Sequence, residues 1–185
     1  PNFRPQQLAL LVATCSGLIF CSAVASEPAT EQPVPVAEPA APTSPSPTVI
    51  NVPTISHLRA ALQNLQPGTT ILIAPGFYSR GISIANIHGT PESPIVIAAA
   101  DPADSPVFSS NNEGAKLSSC SYIRLSGITF TGCGGNGINI DDGGKIDQPS
   151  HHVILEKLAI LETGPQGNHD ALKMSGVNHF IVRDC

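Results

Sequence analysis

The feature that most constrains this chain is a stretch that occurs more than once. Lys116-Leu117-Ser118-Ser119-Cys120-Ser121-Tyr122-Ile123-Arg124-Leu125 aligns without a gap on Lys173-Met174-Ser175-Gly176-Val177-Asn178-His179-Phe180-Ile181-Val182. Between them a third copy opens at Asn139-Ile140 and resumes at His152-Val153-Ile154-Leu155, after an insertion running from Gly143 to Pro149. A second series recurs as well, with Ile123, Leu125, Ile128 and Phe130 matching Val153, Leu155, Leu158 and Ile160. A period of roughly two to three dozen residues is that of a solenoid, where one copy is too small to bury its apolar face and its neighbours complete the core.

The copies are made of short β-type runs. Ile71-Leu72-Ile73, Ile82-Ser83-Ile84 and Ile95-Val96-Ile97 are divided by Pro75-Gly76, Gly89-Thr90-Pro91 and Pro102-Ala103-Asp104, and such runs are strands bounded by turns. Stacking the copies puts Leu117, Ile140 and Met174 in one inward column and Ile123, Val153 and Phe180 in another, with backbone hydrogen bonds running from coil to coil. Burial of about 0.8 kcal/mol per methylene would hold the columns together. The expected class is therefore all-β, a single-stranded parallel β-helix over residues 51–185. A β-sandwich would use Asn-Gly hairpin turns, but Asn136-Gly137 shares the phase of Asp170-Ala171 and belongs to the repeat. One helix is expected, over Thr54–Gln66: Leu58, Ala61, Leu62 and Leu65 share a face, Thr54 or Ser56 caps the start, and Pro67-Gly68 ends it.

Upstream of the repeat the chain changes character. Arg4 precedes an apolar run from Leu8 to Phe20, and Ala23-Val24-Ala25 offers the small residues of a cleavage site, so residues 1–25 are expected to be a signal peptide cut after Ala25. A membrane anchor would need about 20 apolar residues, and this run is interrupted by Thr14, Ser16 and Gly17. A lipoprotein would need a small residue before its modified Cys, whereas Thr14 precedes Cys15 and Phe20 precedes Cys21. Residues 26–50 are dense in Pro, Ala, Ser, Thr and Glu and are expected to be a disordered linker. The expected location is secreted, periplasmic or at the cell surface, with no stable membrane insertion after cleavage, and a monomeric state. Opening at Pro1 and stopping at Cys185 within an apolar run, the chain reads as the N-terminal piece of a longer protein, a fragment whose later coils are missing. A net charge of −5 without a Lys/Arg cluster excludes nucleic acid as a partner, since phosphate binding needs a basic footprint. Cys120 and Cys185 occupy positions filled by Val, Ile or Leu in other coils, so they are expected to be buried thiols.

From the helix through Pro67-Gly68-Thr69-Thr70-Ile71-Leu72-Ile73-Ala74-Pro75-Gly76-Phe77-Tyr78, and on to Gly89-Thr90-Pro91-Glu92-Ser93-Pro94-Ile95-Val96-Ile97, the chain resembles the opening of secreted right-handed, pectate-lyase-like β-helix proteins. It is most similar to the polysaccharide lyase family that includes chondroitinase B and alginate lyases. The likeness covers Val52 to Ala100, plus general coil periodicity beyond. It implies a right-handed solenoid, an N-terminal capping α-helix that hides the open strand edge, and an acidic polysaccharide as partner. The family's catalytic Lys and Arg and its calcium-binding acids lie on later coils than this chain reaches, so none is carried over.

Two segments concentrate polar groups: Asn136-Gly137-Ile138-Asn139-Ile140-Asp141-Asp142-Gly143-Gly144 and Gly167-Asn168-His169-Asp170-Ala171-Leu172-Lys173-Met174. With Leu172 and Met174 inward, alternation sends Lys173 outward and stacks it with Lys116 and Asn139. Lysis of a uronate glycan requires a cation to neutralise the carboxylate and a base to remove the acidified proton. Lys173 or His169 is the candidate base, Lys116, Asn139 and Asn168 the candidate sugar contacts, and Asp141, Asp142 and Asp170 the candidate ligands of a calcium cofactor. A glycosidase would need two carboxylates spaced across one bond, for which Asp142 and Asp170 are the pair; an epimerase would use the lyase constellation; a non-catalytic glycan binder would need only the polar column. The structural alternatives are an Asp-Asp-Gly-Gly tight turn, stacked turn amides at Asn136 and Asn168, and a solvated Lys173. His169 beside Asp170 is expected to have a fixed tautomer. His151-His152 is set aside as a metal pair because neighbouring strand residues face opposite ways.

Overall fold

The computed structural model describes residues 47–185. The expected signal peptide and most of the expected linker lie outside them. β1 (Thr48–Val52) is followed by α1 (Ile55–Leu62), after which the chain makes successive circuits. The first lays down β2 (Thr69–Ile73), β3 (Phe77–Tyr78) and β4 (Ile82–Ala85). The second adds β5 (Ile95–Ala99), β6 (Val107–Phe108) and β7 (Ala115–Ser118), and the third β8 (Ser121–Ser126), β9 (Thr129–Thr131) and β10 (Ile138–Asp141). A fourth holds β11 (Ser150–Glu156), β12 (Ala159–Leu161) and β13 (Leu172–Ser175); β14 (Val177–Asn178) and β15 (Ile181–Arg183) follow. Thr48 to Ile50, assigned to the linker from sequence, belong to β1, where they pair with Thr69 to Ile71.

Each circuit contributes one strand to each of three parallel sheets. Sheet A is β1-β2-β5-β8-β11-β14 with β15 also on β11, sheet B is β3-β6-β9-β12, and sheet C is β4-β7-β10-β13. An all-β fold of parallel sheets built in this order is consistent with a parallel β-helix. The register matches the repeat residue by residue: Lys116 faces Asn139, which faces Lys173, and Leu117, Ile140 and Met174 align beside them. Stacked inward columns form the core. Ile71, Ile97, Leu125 and Leu155 line sheet A, Ile84, Leu117, Ile140 and Met174 line sheet C, and Tyr78, Phe108, Phe130 and Ile160 line sheet B. In the last of these, Tyr78 and Phe108 stack with centroids 4.8 Å apart and Phe130 follows at 5.8 Å, a spacing that adds to plain area burial.

The coils approach closely just before sheet C. Gly81, Gly114 and Gly137 stack there, and Ala171 occupies the same place in the next circuit: Ile82 N bonds to Gly114 O, Ala115 N to Gly137 O and Ile138 N to Ala171 O, each at 2.9 Å. A Cβ on Gly114 would lie 2.6 Å from Gly137 O, and one on Gly137 2.6 Å from Ala171 O. The three glycine positions therefore have no room for a side chain.

Helix α1 lies against β1, the edge strand of sheet A, with Leu58 and Ala61 buried and Thr54 as its N-cap. It stops at Leu62, short of the expected Gln66. Gln66 N turns instead to Thr69 Oγ1 at 3.1 Å and Thr69 N to Gln66 O at 3.0 Å, so the entry into β2 captures the last turn. Leu65 is buried all the same. Cys120 and Cys133 are buried free thiols, whereas Cys185 is exposed, because it follows β15, whose own residues are exposed.

Candidate functional site

The outward face of sheet C carries two polar columns. Alternation exposes Ser83, Lys116, Asn139 and Lys173 in one, and Ala85, Ser118, Asp141 and Ser175 in the other. With parallel strands about 4.8 Å apart, Lys116 and Lys173 stand roughly 10 Å from each other across Asn139. Lys116 Nζ is 3.7 Å from Asp141 Oδ2, and Asn139 Nδ2 donates to Glu113 Oε1 at 3.4 Å. Lys173 is exposed and has no ion-pair partner among the described residues.

Asp141 is the most engaged acid on this face. Its Oδ1 accepts from Ser118 Oγ and from Gly143 N at 2.9 Å. Burial alone would raise its pKa, but these two donors and the Lys116 ammonium outweigh burial and hold the carboxyl below the ordinary carboxylate value. Asp142 Oδ1 accepts from Gly144 N at 2.8 Å, and Gly143 and Gly144 take φ of 66° and 78°. The Asp-Asp-Gly-Gly segment thus makes the tight turn anticipated as its structural alternative. The turn opens the Asp142–Pro149 insertion, which stands where Ser119-Cys120 alone joins the strands one coil earlier. Ser150 closes it, its hydroxyl donating to Asp141 O at 2.7 Å and accepting from Cys120 N at 2.9 Å.

The second polar segment is placed elsewhere. Asn136 is buried and its Oδ1 accepts from Asp170 N at 2.8 Å, a cross-coil amide clamp. Asp170 therefore stands beside Asn136, about 15 Å along the strand from the level of Asp141 at about 3.3 Å per residue. The expected calcium set of Asp141, Asp142 and Asp170 is not assembled: strand register separates Asp170, while turn bonds occupy one oxygen of each of the other two. No group of three or more His, Cys, Asp or Glu among the described residues is arranged to hold a metal. The same separation parts Asp142 from Asp170 as an acid pair. Asn168, His169 and Asp170 are exposed. His169 folds against the Gly164 turn, its Cβ 2.3 Å from where a Cβ on that glycine would sit, and makes no hydrogen bond with Asp170 among the described residues. The column of Lys116, Asn139 and Lys173 is brought together; His169 and Asn168 lie upstream of it.

A second cluster lies at the corner between sheets C and A and was not anticipated. Tyr122, His152 and His179 stack in successive coils at 4.5 and 4.9 Å, all with φ near +50°. That left-handed residue interrupts the extended strand, so His151 and His152 do not face opposite ways: their Nδ1 atoms are 2.8 Å apart. His151 has its pKa lowered by burial and then by the nearby His152, His88 and His179. The signal was present in the repeat, since Tyr122, His152 and His179 occupy one phase of it. Beside this corner, the outer face of sheet A holds Glu156, whose carboxylate lies 2.9 Å from Arg124 Nε and accepts from Arg124 Nη2 at 3.2 Å and from Arg183 Nε at 2.9 Å. Arg183, then Arg124, keep its pKa below the ordinary carboxylate value against the opposing effect of burial.

No helix among the described residues is long and apolar enough to cross a membrane. Neither a family model nor a curated protein sequence matches the chain. Among solved structures it is similar to an alginate lyase from Paenibacillus sp. str. FPU-7, with a TM-score of 0.61 and 25% identity over 74% of this chain and 43% of that one. The chain thus spans less than half the length of the lyase it resembles, and what it shares with that protein is a polysaccharide-lyase-like fold.

Proposed function

We propose that this chain is the N-terminal part of an exported, right-handed β-helix lyase that cleaves uronate-containing glycans by β-elimination, in a groove along the outer face of sheet C. The observation that carries the reading is the Lys116–Asn139–Lys173 column, held in register on an exposed sheet. Likeness to an alginate lyase supports an acidic polysaccharide as the substrate. Helix α1 serves as the cap of the open β1 edge, and 1–25 and 26–47 serve as export signal and spacer.

The chemistry follows from the charges on that face. A glycan carboxylate lying across the column meets the Lys116 ammonium, whose positive charge stabilises the electrons released when the neighbouring C–H is broken. Asp141 holds Lys116 in place rather than acting on substrate, and Asn139, fixed by Glu113, offers an amide to sugar hydroxyls. Lys173, without such a partner, is the candidate base: as the free amine it takes the proton next to the carboxylate, and the electron pair left behind expels the glycosidic oxygen of the leaving sugar, which takes a proton from water. The acids described above do not form a calcium cage, so no step is routed through the metal.

The test is incubation of the full chain with alginate, polygalacturonate and chondroitin, with and without calcium, while ultraviolet absorbance is followed for unsaturated ends. Lys173→Ala should lower the rate at least 100-fold, in the range of a lost general base. Retained turnover in that variant removes Lys173 from the chemistry. Binding without unsaturated ends or altered sugar composition identifies a non-catalytic glycan binder, and altered composition without cleavage an epimerase.

A further inference from the structure

Sheet A, not used by the proposed reaction, presents a second face suited to a ligand. Its outward residues run Val96, Arg124, Ile154 and Ile181 in one column and Ala98, Ser126, Glu156 and Arg183 in the next. In an acidic chain of net charge −5, this face joins the Arg124 and Arg183 guanidinium groups to the Glu156 carboxylate, with Asp184 next to Arg183. Arg124 Nε lies 2.9 Å from Glu156 Oε1 but off the line a hydrogen bond needs, and this buried N–H has no acceptor. Next to Arg124 opens a cavity of about 320 Å³. Val96, Ile154 and Ile181 form its apolar floor, and the edges of the stacked Tyr122, His152 and His179 rings form its wall.

We infer that this cavity is a second glycan subsite, which takes one acidic sugar of a uronate polymer and anchors the chain away from the reacting face. The inference draws on the proposed substrate class but not on the reaction. An apolar floor fits the C–H face of a pyranose, ring edges supply O–H and N–H groups to its hydroxyls, and Arg124, whose Nη2 is held by Glu156 while its Nη1 makes no hydrogen bond among the described residues, supplies a cation for its carboxylate. Charge complementarity selects an acidic sugar over a neutral one. Because Arg124 is part-exposed, the attraction should weaken with salt.

The experiment measures affinity of the full chain for polygalacturonate, with dextran as the neutral control, at low and high salt. The wild type should bind polygalacturonate, lose affinity as salt rises and leave dextran unbound. Arg124→Gln should weaken binding about tenfold, the effect of one charge-assisted contact. Ile181→Ser, at an exposed position and so tolerated by the fold, should weaken it about fivefold through the lost apolar floor. Should Arg124→Gln fail to fold, Ile181→Ser alone decides. Unchanged affinity in a folded Arg124→Gln variant, equal binding of dextran, or occupation of the cavity by a second copy of the chain, seen as a dimer that dissociates in Ile181→Ser, overturns the inference. Binding that depends on Arg124 without unsaturated products supports this subsite while the lyase reading fails; unsaturated products with Arg124-independent binding do the reverse.

Discussion

Replacing Gly114 by Ala tests the coil stacking directly. Gly114 does not have a positive φ, so Ala can adopt its backbone conformation, and any loss of stability must come from crowding. The added Cβ would meet Gly137 O at 2.6 Å, Phe130 Cδ1 at 2.8 Å and Cys133 Sγ at 2.9 Å. The carbonyl cannot retreat without stretching its bond from Ala115 N. Overpacking costs about 1–3 kcal/mol and a weakened backbone hydrogen bond about 1 kcal/mol, so roughly 3 kcal/mol is expected. For a chain of this length that corresponds to melting about 6 to 12 °C lower, read by far-ultraviolet circular dichroism. Gly144→Ala is the control: nothing lies within 4 Å of its Cβ, and φ is +78°, so only left-handed strain of about 1–2 kcal/mol applies. A Gly114→Ala protein that melts within 2 °C of wild type, or that outlasts Gly144→Ala, would refute the close approach of successive coils.

Two further outcomes follow from the same architecture. Phe108→Ala, at a fully buried position between Tyr78 and Phe130, should cost about 3–5 kcal/mol and lower the denaturant midpoint accordingly. Acid should destabilise the fold in two stages. His151 has a lowered pKa, so the unfolded chain binds its proton first; stability is full above about 6.5 and declines as pH falls toward the lower folded value. Asp141 and Glu156, also lowered, keep their contribution above the ordinary carboxylate range and lose it below. Denaturant titrations from pH 7 to pH 3 should show both declines, and His151→Gln should remove the first alone.

The architecture was legible because the repeat specifies which residues meet. Lys116 and Lys173 in one column, and Leu117 and Met174 in the next, follow from a gapless alignment, since parallel in-register stacking turns sequence phase into spatial column. What alternation could not supply was the behaviour of corners. A single left-handed residue at Tyr122, His152 and His179 resets the inside-outside count, and so the paired imidazoles of His151 and His152 went unread. Asp170 was misplaced for a related reason. Reading the two polar segments as one groove suggested a ligand set shared by Asp170 and Asp141, whereas register sets Asp170 beside Asn136. The end of α1 was missed because a local turn bond from Gln66 N to Thr69 Oγ1 outweighs the apolar stripe that continues to Leu65.

The Asp142–Pro149 corner departs from and returns to stacked positions that a two-residue link joins equally well one coil earlier. Length at that corner is thus free of the scaffold: residues can be added or removed there without shifting any rung above or below. Because the corner borders the exposed lysines, such changes would alter the height of a rim rather than the floor it surrounds. One framework could in this way be fitted to polymers of different thickness or branching by editing a single link.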